Sequence, residues 1–322
     1  MIRINRRKVC AALALAAFAT MASAADKWPS KPLRIVVAFP PGAPGDIVAR
    51  LIQPQLQQAL GQTVIIDNKP GAGGNLGAQE VARATDGHTV LVGPDTMVTI
   101  NPHLYRKLAF KPTEDLLPVS YLARFNQMLV CHPSTGFKTL ADFRAGAKKA
   151  PFNYASGGPG VPGHMAMEML LSATGLELVH VPYRGPAPAA QDVIGGTVPC
   201  GFLATPVVGP HVRDGRLVGL AVSGSGRTAS VPNVPTVAEA GVPGFDATFY
   251  ETIWAPRGMP AAHIDRLQQE VAKALNNAET RSRLAAADLD PVGSTPTEAA
   301  RSAKDDFAKW GAVQRKVNLQ LD

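Results

Sequence analysis

The chain has 322 residues, 18% of them charged and 46% apolar, with 30 glycines and 28 prolines. That apolar content excludes general disorder, and the glycines lack the every-third-residue period of collagen, so Gly and Pro above the usual ~12% must serve turns in a folded protein. A length above ~250–300 residues usually divides into two domains, and the formal net charge of +7 makes nucleic acid a partner to be tested by where the charge lies.

The N-terminus answers the question of charge. Arg3, Arg6, Arg7 and Lys8 form a basic head, Val9 to Met21 is an uncharged apolar run, and Ala22-Ser23-Ala24 gives an A-x-A pattern before Ala25 and Asp26. This order predicts a secretory signal peptide over residues 1–24, cleaved after Ala24. The apolar run is shorter than the ~20 residues a membrane-spanning helix needs. Cys10 lies beside the basic head and not at the cleavage site, which argues against a lipoprotein. Without the head, 28 basic and 25 acidic residues remain, a charge of +3. No Lys/Arg block of five or more and no aromatic–basic interleaving follows, so no nucleic-acid partner is expected. Cys131 and Cys200 both sit in apolar stretches, consistent either with buried free thiols or with a disulfide that export would permit.

Arg34 to Phe39 reads as a buried strand, followed by a Pro/Gly turn and a helix through Ile47, Leu51, Leu56 and Leu60 that Gly61 ends. Pro54 falls inside this helix and is expected to kink it. Thr63–Asp67 is a second strand, Asn75 opens a helix to about Ala84, and His88–Val92 is a third strand. Further strands are read at 152–155, 178–181, 198–203 and 217–222, with helices near 162–173, 188–194 and 207–214. Such alternation predicts parallel sheets with helices on both faces. The C-terminal third turns helical, over 260–276 and 295–317. Within the latter Ala303, Phe307, Trp310 and Val317 form one apolar stripe, read as core packing.

Ligands of open parallel sheets bind beyond the carboxyl ends of the strands, where three loops are candidates. Phe39 to Asp46 and Tyr154 to His164 each run from a strand into a helix, so each offers free backbone N–H groups to a carboxylate or phosphate. Gly93 to Asn101 follows the third strand. The glycines at 71, 73, 74 and 77 miss the G-x-G-x-x-G spacing of a dinucleotide site. No H-E-x-x-H, C-x-x-C or G-x-S-x-G motif occurs. Ser156 has no evident base in the sequence, and His164 is either a helix-surface residue or a donor in the cleft.

Taken in order, these segments resemble the solute-binding receptors of tripartite tricarboxylate transporters, the Bug family. The resemblance runs through Trp28-Pro29-Ser30-Lys31-Pro32, the Phe39–Asp46 loop with Ala49-Arg50, Asn68 to Asn75, Asn101-Pro102, Tyr154-Ala155-Ser156, His164, Tyr183-Arg184-Gly185 and Pro235 to Gly241. It implies an α/β periplasmic binding protein of type II-like fold, with two α/β lobes closing on a small solute. One lobe would comprise residues 25–125 plus 245–322, the other 126–244. The resemblance further implies a carboxylate held by Pro41, Gly42, Ala43 and Asp46 from the first lobe and by Ser156, Gly160, Val161 and His164 from the second. Thr96 and Asn101 complete the ring, and Arg184 lies beside the cleft. Ala43 replaces a frequent Gly, Leu203 a frequent Asp, and Tyr250 and Thr252 a frequent Trp and Gly. Loss of the Asp favours an apolar or aromatic carboxylate over an amino acid.

The expected function is therefore non-catalytic: a periplasmic monomer that needs no cofactor or metal, captures a small organic carboxylate and passes it to the permease subunits of a tripartite transporter. Two other classes stay in view. One is a secreted two-lobe enzyme using Ser156, which turnover would reveal. The other is a chemosensory receptor, which its membrane partner would reveal.

Overall fold

The computed structural model describes residues 28–321. The predicted signal peptide and its cleavage site lie outside the described residues.

Two sheets organise the chain. The first is built from β1 (Leu33–Val37), β2 (Val64–Asn68), β3 (Thr89–Pro94), β4 (Leu116–Phe125), and later β10 (Phe249–Pro256) and β11 (Asp290–Pro291), in the order β11-β4-β10-β3-β1-β2. The second contains β5 (Gln127–Cys131), β6 (Asn153–Ser156), β7 (Val179–Pro182), β8 (Cys200–Ala204) and β9 (Val218–Val222), in the order β7-β6-β8-β5-β9. Both are mixed. β2-β1-β3 and β7-β6-β8 are parallel as the alternation predicts, whereas β10 and β5 run antiparallel to both their neighbours. The wholly parallel expectation fails because the patterning does not reveal β4, β5 and β10.

The helices longer than two turns are α1 (Pro44–Leu60), α2 (Asn75–Ala82), α3 (Leu140–Lys149), α4 (Pro162–Thr174), α5 (Pro186–Ile194), α6 (Thr205–Arg213), α7 (Ala261–Asn276), α8 (Ala278–Ala286) and α9 (Pro296–Val317). α1 packs Val48, Ala49, Ile52 and Leu56 inward and continues through Pro54, which is exposed. On that wet face the carbonyl that loses its N–H partner can bond to water. In α9, Trp310 is buried and stacks on Phe249 at 5.4 Å, as core packing requires.

The chain crosses from the first sheet to the second between Phe125 and Gln127, and returns between Val222 and Phe249. Ser223, wholly buried, clips the two crossovers together. Its Oγ accepts from the Gln127 N–H at 2.9 Å and donates to the Ala247 carbonyl at 2.6 Å. Cys131 and Cys200 are disulfide-bonded as register partners on β5 and β8.

Candidate functional site

The loops after β1, β6 and β7 and the end of β8 meet between the sheets. There they enclose a cavity of about 30 Å³ lined by Phe39, Ala43, Pro44, Phe125, Gln127, Val161, Gly163, Pro186, Phe202, Leu203, Ala204 and Glu251, among others. Four helices begin at its wall: α1 after Ala43, α4 after Val161, α5 after Gly185 and α6 after Ala204. Each has Pro in its first two positions and none has a side-chain cap. Proline suits a helix start because its missing N–H would be unpaired there anyway. The N–H groups of the rest of the first turn, Gly45 and Asp46 in α1 and Gly163 and His164 in α4, have no intrahelical acceptor. Away from the cavity, Thr139 and Thr295 form capping boxes on α3 and α9 and Asn277 caps α8, whereas α2 and α7 also start without a side-chain cap.

The side chains predicted for the site fall into three groups. Ala43, Val161 and Leu203 line the cavity. Arg184 is exposed and lines an outer cleft of about 400 Å³ with Gly71–Gly74, Tyr105 and Gly157–Pro159. The others build the walls from behind. Pro41 and Gly42 form the exposed turn before α1. Asp46, almost fully buried, accepts from the Gly42 N–H at 2.9 Å, from Arg50 Nε at 2.9 Å and from Asn68 Nδ2 at 3.0 Å. Burial pushes this carboxyl up, but Arg50, Gly42 and Asn68 outweigh it and hold it below the usual carboxylate range. It fixes the loop rather than facing a ligand. Asn101 is buried and donates to the Gly73 carbonyl at 3.1 Å and to Asn75 Oδ1 at 2.7 Å, and Thr96 is buried beside it in the chain segment after β3.

Ser156, Gly160 and His164 belong to a buried cluster under the second loop. Ser156 Oγ lies 2.7 Å from His180 Nε2, donates to the Gly158 carbonyl at 3.1 Å and accepts from the Gly158 N–H at 3.2 Å. His164 Nδ1 accepts from the Gly160 N–H at 3.0 Å, and its ring stacks on His180 at 4.0 Å. Burial, followed by His180, pushes His164 down to about 3, and burial pushes His180 to about 4. A serine hydroxyl on an imidazole resembles half of a nucleophilic triad. Here the serine is wholly buried, no carboxylate contacts His180 among the described residues, and neither residue lines the cavity.

Sequence reading misses two polar side chains of the cavity, Gln127 and Glu251, each 2% exposed. Gln127 Nε2 and Glu251 Oε2 have no hydrogen-bond partner among the described residues. Burial, then Asp95, push Glu251 well above the usual carboxylate range. β10 shows no alternation that would have marked it: Glu251 and Thr252 interrupt the run Phe249 to Trp254, and the remaining signal is an acid set among apolar and aromatic residues.

The loops also touch across the cleft. Tyr105 Oη donates to the Pro159 carbonyl at 3.3 Å, and a Cβ placed on Gly185 would stand 2.9 Å from Pro40.

Comparison with known proteins places this geometry. The family model described as "Tripartite tricarboxylate transporter family receptor" matches residues 48–319. Protein BugT of Bordetella pertussis is 33% identical over 301 residues, covering 92% of this chain and 92% of BugT. A Rhodopseudomonas palustris protein solved with adipate superposes with a TM-score of 0.87 at 31% identity, covering 91% of this chain and 99% of that one. MatC of the same organism, solved with bound malate, gives 0.84 at 31% identity, covering 89% and 99%. The two-sheet architecture is that of periplasmic binding proteins.

Proposed function

The chain belongs to the tripartite tricarboxylate transporter receptor family, and from that premise we propose that it captures a small organic carboxylate between its lobes in the periplasm and presents it to the permease subunits of a tripartite transporter. We take residues 25–125 plus 245–322 as one lobe and 126–244 as the other. Residues 1–24 are read as the export signal, and the working form as a monomer.

The observation that carries this reading is the set of four uncapped helix starts at one buried cavity with no lysine, arginine or histidine in its lining. First-turn N–H groups and the positive ends of the helix dipoles can hold an anion without a buried cation. Ala43 and Val161 mark the two principal starts, Pro41, Gly42 and Asp46 shape the first, and Ser156, Gly160 and His164 shape the second. Thr96 and Asn101 support the first-lobe wall, and Arg184 at the outer cleft draws anions in. Leu203 with Phe39, Phe125 and Phe202 favours a solute with an apolar or aromatic body. Closure follows because a solute touching both lobes binds the closed form more tightly than the open one.

The solutes that bind MatC and the R. palustris adipate protein guide the test. Calorimetric titration of the exported chain with adipate, malate, benzoate and glutamate is expected to give one-to-one binding of at least one carboxylate, with its uncharged amide weaker by about a hundredfold or more. The solute should be recovered chemically unchanged after long incubation. Equal affinity for the amide would remove the anion site. Conversion of the solute would restore the enzyme reading, for which the Ser156–His180 contact is the specific observation.

A further inference from the structure

Glu251 sits where the carboxylate reading would least expect an acid. It lines the interlobe cavity at 2% exposure, and Oε2 is unpartnered. Its carboxyl rests against the first turn of α1, since a Cβ placed on Gly45 would stand 2.7 Å from Oε2. A charged carboxylate there would have no cation beside it and would repel a bound anion. A neutral carboxylic acid turns the same group into a donor. On the other wall of the cavity stands Gln127, whose Nε2 donor is also unpartnered.

We propose that Glu251 meets the solute as an uncharged carboxylic acid that donates a hydrogen bond to a solute oxygen, and that with the Gln127 amide it selects solutes carrying an oxygen acceptor over those carrying an ammonium group. This deepens the proposed carboxylate-binding role and rests on it. The start of α1 would favour the charged form, but burial and the remaining surroundings favour the neutral one. Asp95, buried just after β3 and itself pushed well above the usual carboxylate range by burial, adds like charge whenever it ionises. On α1 the nearest charges, Asp46 and Arg50, are paired with each other. Tyr250 precedes Glu251 in β10 and brings no positive charge. His164 and His180 lie behind the start of α4 and are held to about 3 and about 4, so both are neutral wherever Glu251 would titrate above the usual carboxylate range.

The consequence is a distinctive pH dependence. Simple carboxylate solutes stay ionised from about pH 6 to about pH 9. If binding requires the Glu251 proton, wild-type affinity for adipate, malate or benzoate falls by about tenfold per pH unit once the pH passes the Glu251 pKa. Glu251→Gln keeps a donor that cannot ionise. It is expected to bind a few-fold more weakly than wild type in the acid part of the range, to show a flat profile, and to overtake wild type in the alkaline part. Glu251→Leu removes the donor and should be weak and flat throughout. Wild-type affinity that rises with pH, with Glu251→Gln weaker by about a hundredfold, would overturn the proposal in favour of a charged Glu251 facing an ammonium group. A second measurement needs no solute. The infrared difference between wild type and Glu251→Gln at neutral pH should contain the C=O stretch of a protonated carboxylic acid, and its absence would also overturn the proposal. If none of the three probes binds wild type, the carboxylate-receptor reading fails on its own terms, while the infrared band still decides the state of Glu251.

Discussion

At Gly163 a Cβ would stand 2.0 Å from the Phe202 carbonyl oxygen, a backbone atom that cannot move aside. At Gly45 the nearest obstacle is the tip of the Glu251 side chain, 2.7 Å away. The two substitutions to Ala should therefore separate stability from binding. Gly163→Ala is expected to destabilise by about 3 kcal/mol or more through overpacking, at the upper end of what such changes cost. Gly45→Ala should cost no more than about 1 kcal/mol yet weaken solute binding by displacing Glu251. Denaturant midpoints and calorimetry on both variants check this. The same contrast explains what the sequence discloses of the site. It places the Phe39–Asp46 and Tyr154–His164 loops correctly between strand and helix, because Gly/Pro clusters after β-branched runs have few other uses. It does not distinguish residues that line a cavity from residues that brace its wall. Asp46 and His164 sit in such loops, but Asp46 is occupied by Arg50, Asn68 and Gly42, and His164 by Gly160 and His180. Gly163 has the look of a glycine that admits a ligand, and in fact admits β8.

The elements under the second loop give the fold a titration signature. His164 on α4 and His180 on β7 are neutral and buried, held to about 3 and about 4, whereas in the unfolded chain each titrates near 6.5. Below that value the unfolded state binds more protons, so the contribution is fully kept above about pH 6.5 and lost as the pH falls towards 4, by up to ~1.4 kcal/mol per unit for each ring. Buried acids with raised pKa, Glu168 and Asp95 among them, oppose this trend in the same window. The comparison to make is therefore of thermal midpoints between wild type and a His164→Asn, His180→Asn double variant. Wild type should lose more stability than the variant between about pH 7 and about pH 4.5, and parallel curves would refute the assignment. Legibility differs by element for equally physical reasons. β3 and β8 are runs buried on both faces, and β1 is one apart from Arg34 near its start, so all three are read directly. β4 carries Pro118 and Arg124, and its pairing with β10 shifts register on either side of Thr252–Ile253. β10 carries Glu251. Polar or imino residues inside a strand break the period on which recognition depends, and here they fall where the strands approach the cavity and the crossovers.

On the scale of the whole molecule, two crossovers joined by Ser223 connect the two sheets, and α9 packs on α4 between them in addition to the loop contacts. The disulfide lies within the second sheet, joining β5 to β8, and does not link the two sheets. A cavity of about 30 Å³ holds little more than a water or two, so the proposed capture of a small organic carboxylate needs its walls to move apart. Gly160 is well placed to test this. It has φ +73°, and a Cβ there would meet Asn101 Oδ1 at 3.0 Å and Leu104 at 3.1 Å on the opposite wall. A branched side chain at that position strains the loop and also wedges the lobes apart. The claim that a carboxylate is held between the lobes is met most directly by native mass spectrometry of the freshly purified exported chain, alone and after addition of adipate, malate and benzoate, alongside Gly160→Val. The prediction is a single small-acid adduct per chain, released unchanged on denaturation and lost or much reduced in a Gly160→Val protein that is still folded. No acid adduct under any of these conditions, or one that Gly160→Val retains in full, would contradict it.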